Sequence, residues 1–122
     1  MTIVLLSGDL MGASRVEGAV RQAGADFRLV PTIDAAAAIC GQQPVAAVMV
    51  DLATPGLDPA ELVQRIHSGA DQPPAIIAFG PHVLDERLAA AEQAGCDQVL
   101  SRGQFMAQIQ EVLARYVATK PV

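Results

Sequence analysis

Apolar residues cluster in five short runs along the chain, at residues 3–6, 27–30, 45–50, 75–79 and 98–100. The first, third and fourth runs are continuously apolar, the pattern of parallel strands covered on both faces. The stretches between them carry helical periodicity and helical start signals. Ser14-Arg15-Val16-Glu17 has the spacing of a capping box, with Val16, Val20 and Ala23 on one face behind it. Asp58-Pro59-Ala60-Glu61 sets an N-cap, a first-turn proline and an acid in order, followed by Leu62 and Ile66. Residues 34–40 predict a short Ala-rich helix closed by Gly41, and residues 85–94 a fourth helix. Phe105, Ile109, Val112, Leu113 and Tyr116 mark the stripe of a fifth.

One joint occurs twice. Gln22-Ala23-Gly24-Ala25-Asp26 and Gln93-Ala94-Gly95-Cys96-Asp97 each place a glycine where a helix ends in the left-handed conformation, with a strand directly after. Strict strand–helix alternation, five times over, predicts an α/β three-layer sandwich of the flavodoxin-like (βα)5 type. Right-handed crossovers favour the strand order 2-1-3-4-5. No linker divides the 122 residues, so residues 1–122 read as a single domain with a frayed tail at 118–122.

Composition narrows the function. Hydrophobic residues make up 52%, too many for a disordered chain, and the longest apolar run, residues 44–50, is far too short to span a bilayer. Thirteen acids oppose eight bases, seven of them Arg, for a net charge of −5, and no basic run is present. Nucleic acid binding and membrane association are therefore not expected. Cys40 and Cys96 lack metal-type spacing and read as reduced core thiols in a cytoplasmic protein. His67 reads as a surface histidine, and His82 stands near the rim of the expected site without a sequence partner.

In such sheets ligands gather beyond the carboxyl ends of the strands. There the sequence offers Ser7, Gly8 and Asp9, then Asp51, then Gly80, then Ser101 and Arg102. Asp51 follows an unbroken apolar strand, so its carboxylate is either presented at the mouth of the sheet or used to cap the loop from Leu52 to Gly56. The first loop lacks the glycine patterns of dinucleotide and phosphate-binding loops, and no nucleophile–histidine–acid set converges. An ordinary enzyme is not expected.

With its surroundings, Val50-Asp51-Leu52-Ala53-Thr54-Pro55-Gly56-Leu57-Asp58 resembles the phosphoacceptor segment of response regulator receiver domains of two-component systems. Ala89-Ala90-Ala91-Glu92-Gln93-Ala94-Gly95-Cys96-Asp97 is similar to the family's fourth helix and its turn into strand five, in the same register. The resemblance implies Asp51 as phosphoacceptor, an acid pair after strand one for Mg²⁺, a hydroxyl after strand four and a Lys-Pro pair after strand five. Here Ser7 and Gly8 stand at the acid pair, with Asp9 one step late. Gly80 replaces the hydroxyl, Arg102 the lysine, Gly103 the proline, and Val99 the switching aromatic of strand five.

These departures lead to the expectation of a degenerate receiver-like module for signal transduction that works by protein–protein contact. Its partners would be a histidine kinase or an effector. Its working surface, for effector contact and for a homodimer, would by the resemblance be the face of the fourth helix, fifth strand and fifth helix, near Leu88, Phe105, Met106 and Tyr116. Arg102 is expected to grip Asp51 with both arms of its guanidinium. The alternative is a working receiver phosphorylated on Asp51, with Mg²⁺ held by Asp9 and Asp51. A flavodoxin-like cofactor or anion site at Arg102 is a third reading, on fold analogy alone.

Overall fold

The computed structural model describes residues 1–117, so the expected fraying of 118–122 lies outside the described residues. Five strands, β1 (Thr2–Leu6), β2 (Asp26–Val30), β3 (Ala47–Asp51), β4 (Ala75–Gly80) and β5 (Gln98–Ser101), form one parallel sheet. Their order is β2-β1-β3-β4-β5, as the alternation predicts. Helices α1 (Leu10–Gln22), α2 (Ile33–Gln42), α3 (Pro59–Gly69) and α4 (Asp85–Ala94) cross between strands. After β5 come α5 (Arg102–Ala107) and α6 (Ile109–Tyr116).

Alternation along the strands divides the core in two. Ile3, Leu5, Met49, Ile77 and Phe79 pack with α1, α5 and α6, where Phe105 is fully buried with its ring stacked 4.1 Å from that of Phe79. Val4, Leu6, Val48, Val50, Ile76 and Ala78 point to the opposite face and pack with α2, α3 and α4. The same alternation sends Asp51, two residues beyond Met49, to the α1/α5 side, and Leu52 to the other.

The repeated glycine joint is a Schellman motif at both places. Gly24 (φ 83°) and Gly95 (φ 97°) adopt the left-handed conformation. Ala25 N donates to Val20 O at 3.2 Å, and Cys96 N to Ala91 O at 3.2 Å. Asp58 caps α3 through Ala60 N, as read from the sequence.

Four local expectations are corrected. Helix α1 starts at Leu10, capped by Asp9 through Met11 N, whereas Ser14 lies a turn inside and its hydroxyl donates back to Leu10 O. Helix α2 is capped by Thr32 and runs through Gly41 rather than stopping there. Gly41 faces α3, where a Cβ would sit 3.4 Å from Gly69 O, in tight contact. The fifth apolar stripe is carried by two helices that break at Gln108 (φ −112°, ψ 14°) while Phe105, Val112 and Leu113 keep facing the core. Strand β3 starts at Ala47 and includes Asp51, which pairs in register with Phe79.

Candidate functional site

The site is assembled at the carboxyl edge of the sheet from the ends of β1 and β3, the end of β5 on the far side of β4, and the starts of α1 and α5. Asp51 is the last residue of β3 and only 3% exposed. Burying a carboxylate is costly unless hydrogen bonds compensate it. Its Oδ2 accepts from Ser7 Oγ at 2.9 Å, and its Oδ1 accepts from Ala53 N at 3.0 Å. The second contact is the loop cap that the sequence allows, so Asp51 shapes the β3–α3 loop and also faces the site.

Arg102 completes the set. Its Nη2 donates to Asp51 Oδ2 at 3.2 Å and to Oδ1 at 3.4 Å. The expected two-armed grip is not formed: a single nitrogen straddles both carboxylate oxygens, at distances longer than the 2.7–2.9 Å usual for charge-assisted bonds. Arg102 is positioned by the start of α5. Ser101 caps that helix in a capping box with Gln104, which spends the Ser101 hydroxyl on the helix and puts Arg102 at its first residue. Arg102 Nε is buried without an acceptor.

Ser7 links the two loops. Its hydroxyl donates to Asp51 and accepts from Asp9 N at 3.0 Å. The hydroxyl adds a donor, where a second carboxylate would add repulsion that a cation must offset. Asp9 turns to its own helix. Its Oδ1 accepts from Met11 N, and its Oδ2 lies over Gly12, where a Cβ would come within 2.9 Å. Gly8 is exposed with open space around it. Among the described residues no group of three or more His, Cys, Asp and Glu converges to hold a metal. Asp9 Oδ1 is used by the cap and its Oδ2 makes no hydrogen bond, while the Asp51 carboxylate is shared with Arg102.

On the other face of the sheet, Gly80 ends β4 directly beneath Leu52. A Cβ at Gly80 would lie 3.2 Å from Leu52 Cβ, so Leu52 fills the space that a side chain there would need. Arg87 Nη1 donates to Leu52 O at 2.9 Å and ties α4 to the loop that begins at Asp51. The sequence reading missed Arg87. Its only signal is its place beside the apolar positions Leu88 and Ala91, which seat α4 on the sheet.

His67 and His82 are exposed, and neither contributes a contact to Asp51. Cys40 and Cys96 are free thiols, both pushed up by burial, Cys96 to about 11 with help from the Asp97 carboxylate. Of the apolar residues expected at the fourth-helix to fifth-helix face, Phe105 is core, while Leu88, Met106 and Tyr116 are partly buried against the two clusters. Among the described residues no helix is long and apolar enough to cross a membrane.

No family model matches the chain, and no curated protein does. Solved structures do. The receiver domain of the sensor histidine kinase PA1611 from Pseudomonas aeruginosa PAO1, described with a magnesium ion in its active site cleft, superposes with a TM-score of 0.80 at 23% identity, over 94% of this chain and 95% of that one. A signal receiver domain from Bermanella marisrubri gives 0.82 at 16% identity, over 96% and 98%. The receiver domain of Saccharomyces cerevisiae Ssk1, crystallised with the histidine phosphotransfer protein Ypd1, gives 0.78 at 13% identity, over 95% and 88%. In strand order and in coverage, this chain has the fold of a response regulator receiver domain.

Proposed function

We propose that this chain is a receiver-like module of two-component signalling that works through protein–protein contacts, with Asp51 engaged by its own fold instead of by a phosphoryl group and Mg²⁺. The observation that carries this reading is the set of partners on the Asp51 carboxylate among the described residues: Ser7 Oγ, Ala53 N and Arg102 Nη2. Both oxygens already face donors, so a metal or a phosphodonor has to displace them first.

The other half of the reading concerns response. A ligand shifts a conformational equilibrium only where two states bind it differently. Leu52 over Gly80, and Arg87 on the Leu52 carbonyl, hold α4 against the β3–α3 loop in one arrangement. Val99 on β5 is a small side chain packed against the α2–α4 cluster, without the bulk of an aromatic to swing.

A signalling partner would meet the rim formed by α1 and the β5–α5 junction. Leu10 and Met11 are 73% and 85% exposed there, next to the Asp51 cleft. Ssk1 is crystallised with a histidine phosphotransfer protein, and a protein of that kind is the partner class proposed here. A homodimer through α4, β5 and α5 is a second proposed contact; a monomer by light scattering at high concentration would refute it.

The competing reading, a phosphoacceptor with Asp9 and Asp51 on Mg²⁺, draws on the magnesium ion described in the PA1611 domain. Amide NMR spectra with beryllium fluoride and Mg²⁺, which mimic a phosphorylated aspartate, separate the two. The proposal expects α4 and β5 amides to stay in place. Saturable shifts spreading from Asp51 to α4 would overturn it.

A further inference from the structure

The Asp51 site opens into a cleft of about 560 Å³ between α1 and the β5–α5 junction. Buried core residues Leu5, Val16 and Phe79 back it, and Met11 and Met106 are the apolar lining side chains left open to it. Pockets for small organic molecules have this size, with a mostly apolar wall and a few converging polar groups. Two glycines, Gly12 and Gly103, line the cleft, and a Cβ at Gly12 would meet the Asp9 carboxylate.

The charged groups around it are unequally used. Asp51 accepts from three groups, and Asp9 caps α1. The two cations have donors to spare. Arg15, which also lines the cleft, has no hydrogen bond or ion pair among the described residues. Arg102 uses Nη2 alone, and its buried Nε–H has no acceptor. An N–H buried without an acceptor is a standing cost, relieved when an anionic oxygen arrives.

From this juxtaposition of spare guanidinium donors and an apolar wall, we infer that the cleft binds a small organic acid, its carboxylate between Arg15 and Arg102 and its apolar body against Met11 and Met106. The inference rests on the reading that Arg102, and not a bound phosphoryl group, occupies the space beside Asp51. Phosphorylation is scored separately by mass, so the two can fail independently.

The test uses 2-naphthoate, with its uncharged counterpart 2-naphthylmethanol and inorganic phosphate beside it, monitored by calorimetry and by amide NMR. The chain has no Trp to interfere optically. One saturable site for 2-naphthoate is expected, with shifts at Ser7, Gly12 and Gly103. Losing a charged hydrogen-bond donor should weaken binding about tenfold in Arg15→Gln, and at least as much in Arg102→Gln. Arg15 is exposed, so the first variant tests the site without risk to the fold. Asp51→Asn frees Arg102 and should bind as tightly as wild type or more so. No saturable binding, equal affinity for the alcohol, unchanged affinity in both Arg variants, or full displacement by inorganic phosphate would each overturn the inference.

Discussion

Arg87 Nη1 donates to the carbonyl of Leu52 at 2.9 Å, which joins α4 to the residue that directly follows Asp51. The two residues are 35 apart in sequence, and the bond crosses from one crossover connection to the next. Hydrogen bonds from charged donors contribute more than neutral ones, less here because Arg87 is an exposed residue. Arg87→Ala should cost about 1 kcal/mol, or roughly 3–6 °C in Tm for a domain of this size. Hydrogen exchange should quicken at the start of α4 and in the Leu52–Gly56 loop. Unchanged exchange in both segments would mean that the bond does not hold α4.

Ser7 supplies a neutral donor where a receiver of the resembled type carries an acid. Ser7→Ala leaves one oxygen of a buried carboxylate short of a partner, a loss of about 1–2 kcal/mol. Substituting Ser7 and Asp51 (to Asn) together should cost less than the sum of the two single changes, because they share the 2.9 Å bond. Urea denaturation of the four proteins of the cycle measures the coupling. Strict additivity would separate Ser7 from Asp51.

Gly80 tests the other face. Leu52 Cβ stands 3.2 Å from where a Cβ at Gly80 would sit, and both residues are buried. Placing a serine there should overpack the junction at a cost of about 1–3 kcal/mol. A Gly80→Ser variant as stable as wild type would show that Leu52 yields, and with it the loop after Asp51.

Alkaline pH should destabilise the fold. Burial, with the Asp97 charge, pushes the Cys96 thiol from its ordinary 9.0 up to about 11, while burial raises Cys40 and Tyr116 as well. An acid whose folded pKa lies above the unfolded value keeps its proton longer when folded. The unfolded chain therefore binds fewer protons in the interval, and stability falls as pH rises. The contribution of Cys96 is intact below pH 9 and lost between about 9 and about 11. Urea midpoints across that range should fall less steeply for Cys96→Ala than for wild type.

The sequence carries the layout of this molecule well because its signals are local. Continuous apolar runs mark buried strands, and glycine after a helix marks the left-handed joints at Gly24 and Gly95. Local signals misled where a competing partner lay nearby in space. Ser14 has the spacing of a cap, yet Asp9 reaches the free amide at Met11 first. Gly41 reads as a stop, but α2 runs on to Gln42 with Gly41 facing Gly69 O of α3. The candidate site was legible as a set of positions, Ser7, Asp51 and Arg102, together with the Arg102–Asp51 pairing and the loop cap by Asp51, whereas the Ser7–Asp51 bond and the one-nitrogen geometry of Arg102 were not. A single Arg102 nitrogen meets Asp51 because the capping box at Ser101 fixes where α5 begins. Arg15 carried no signal at all. Its place in the cleft is set by α1, which starts at Leu10 and crosses the end of β1.

If Asp51 is held by Ser7 and Arg102, it does not take a phosphoryl group. Intact mass after incubation with acetyl phosphate, with and without Mg²⁺ and beside an Asp51→Asn control, decides the point. One unmodified mass is expected under every condition, for a protein that stays folded. A Mg²⁺-dependent phosphoryl adduct on wild type, absent from the control, would contradict the proposed function and put Asp9 and Asp51 on the metal.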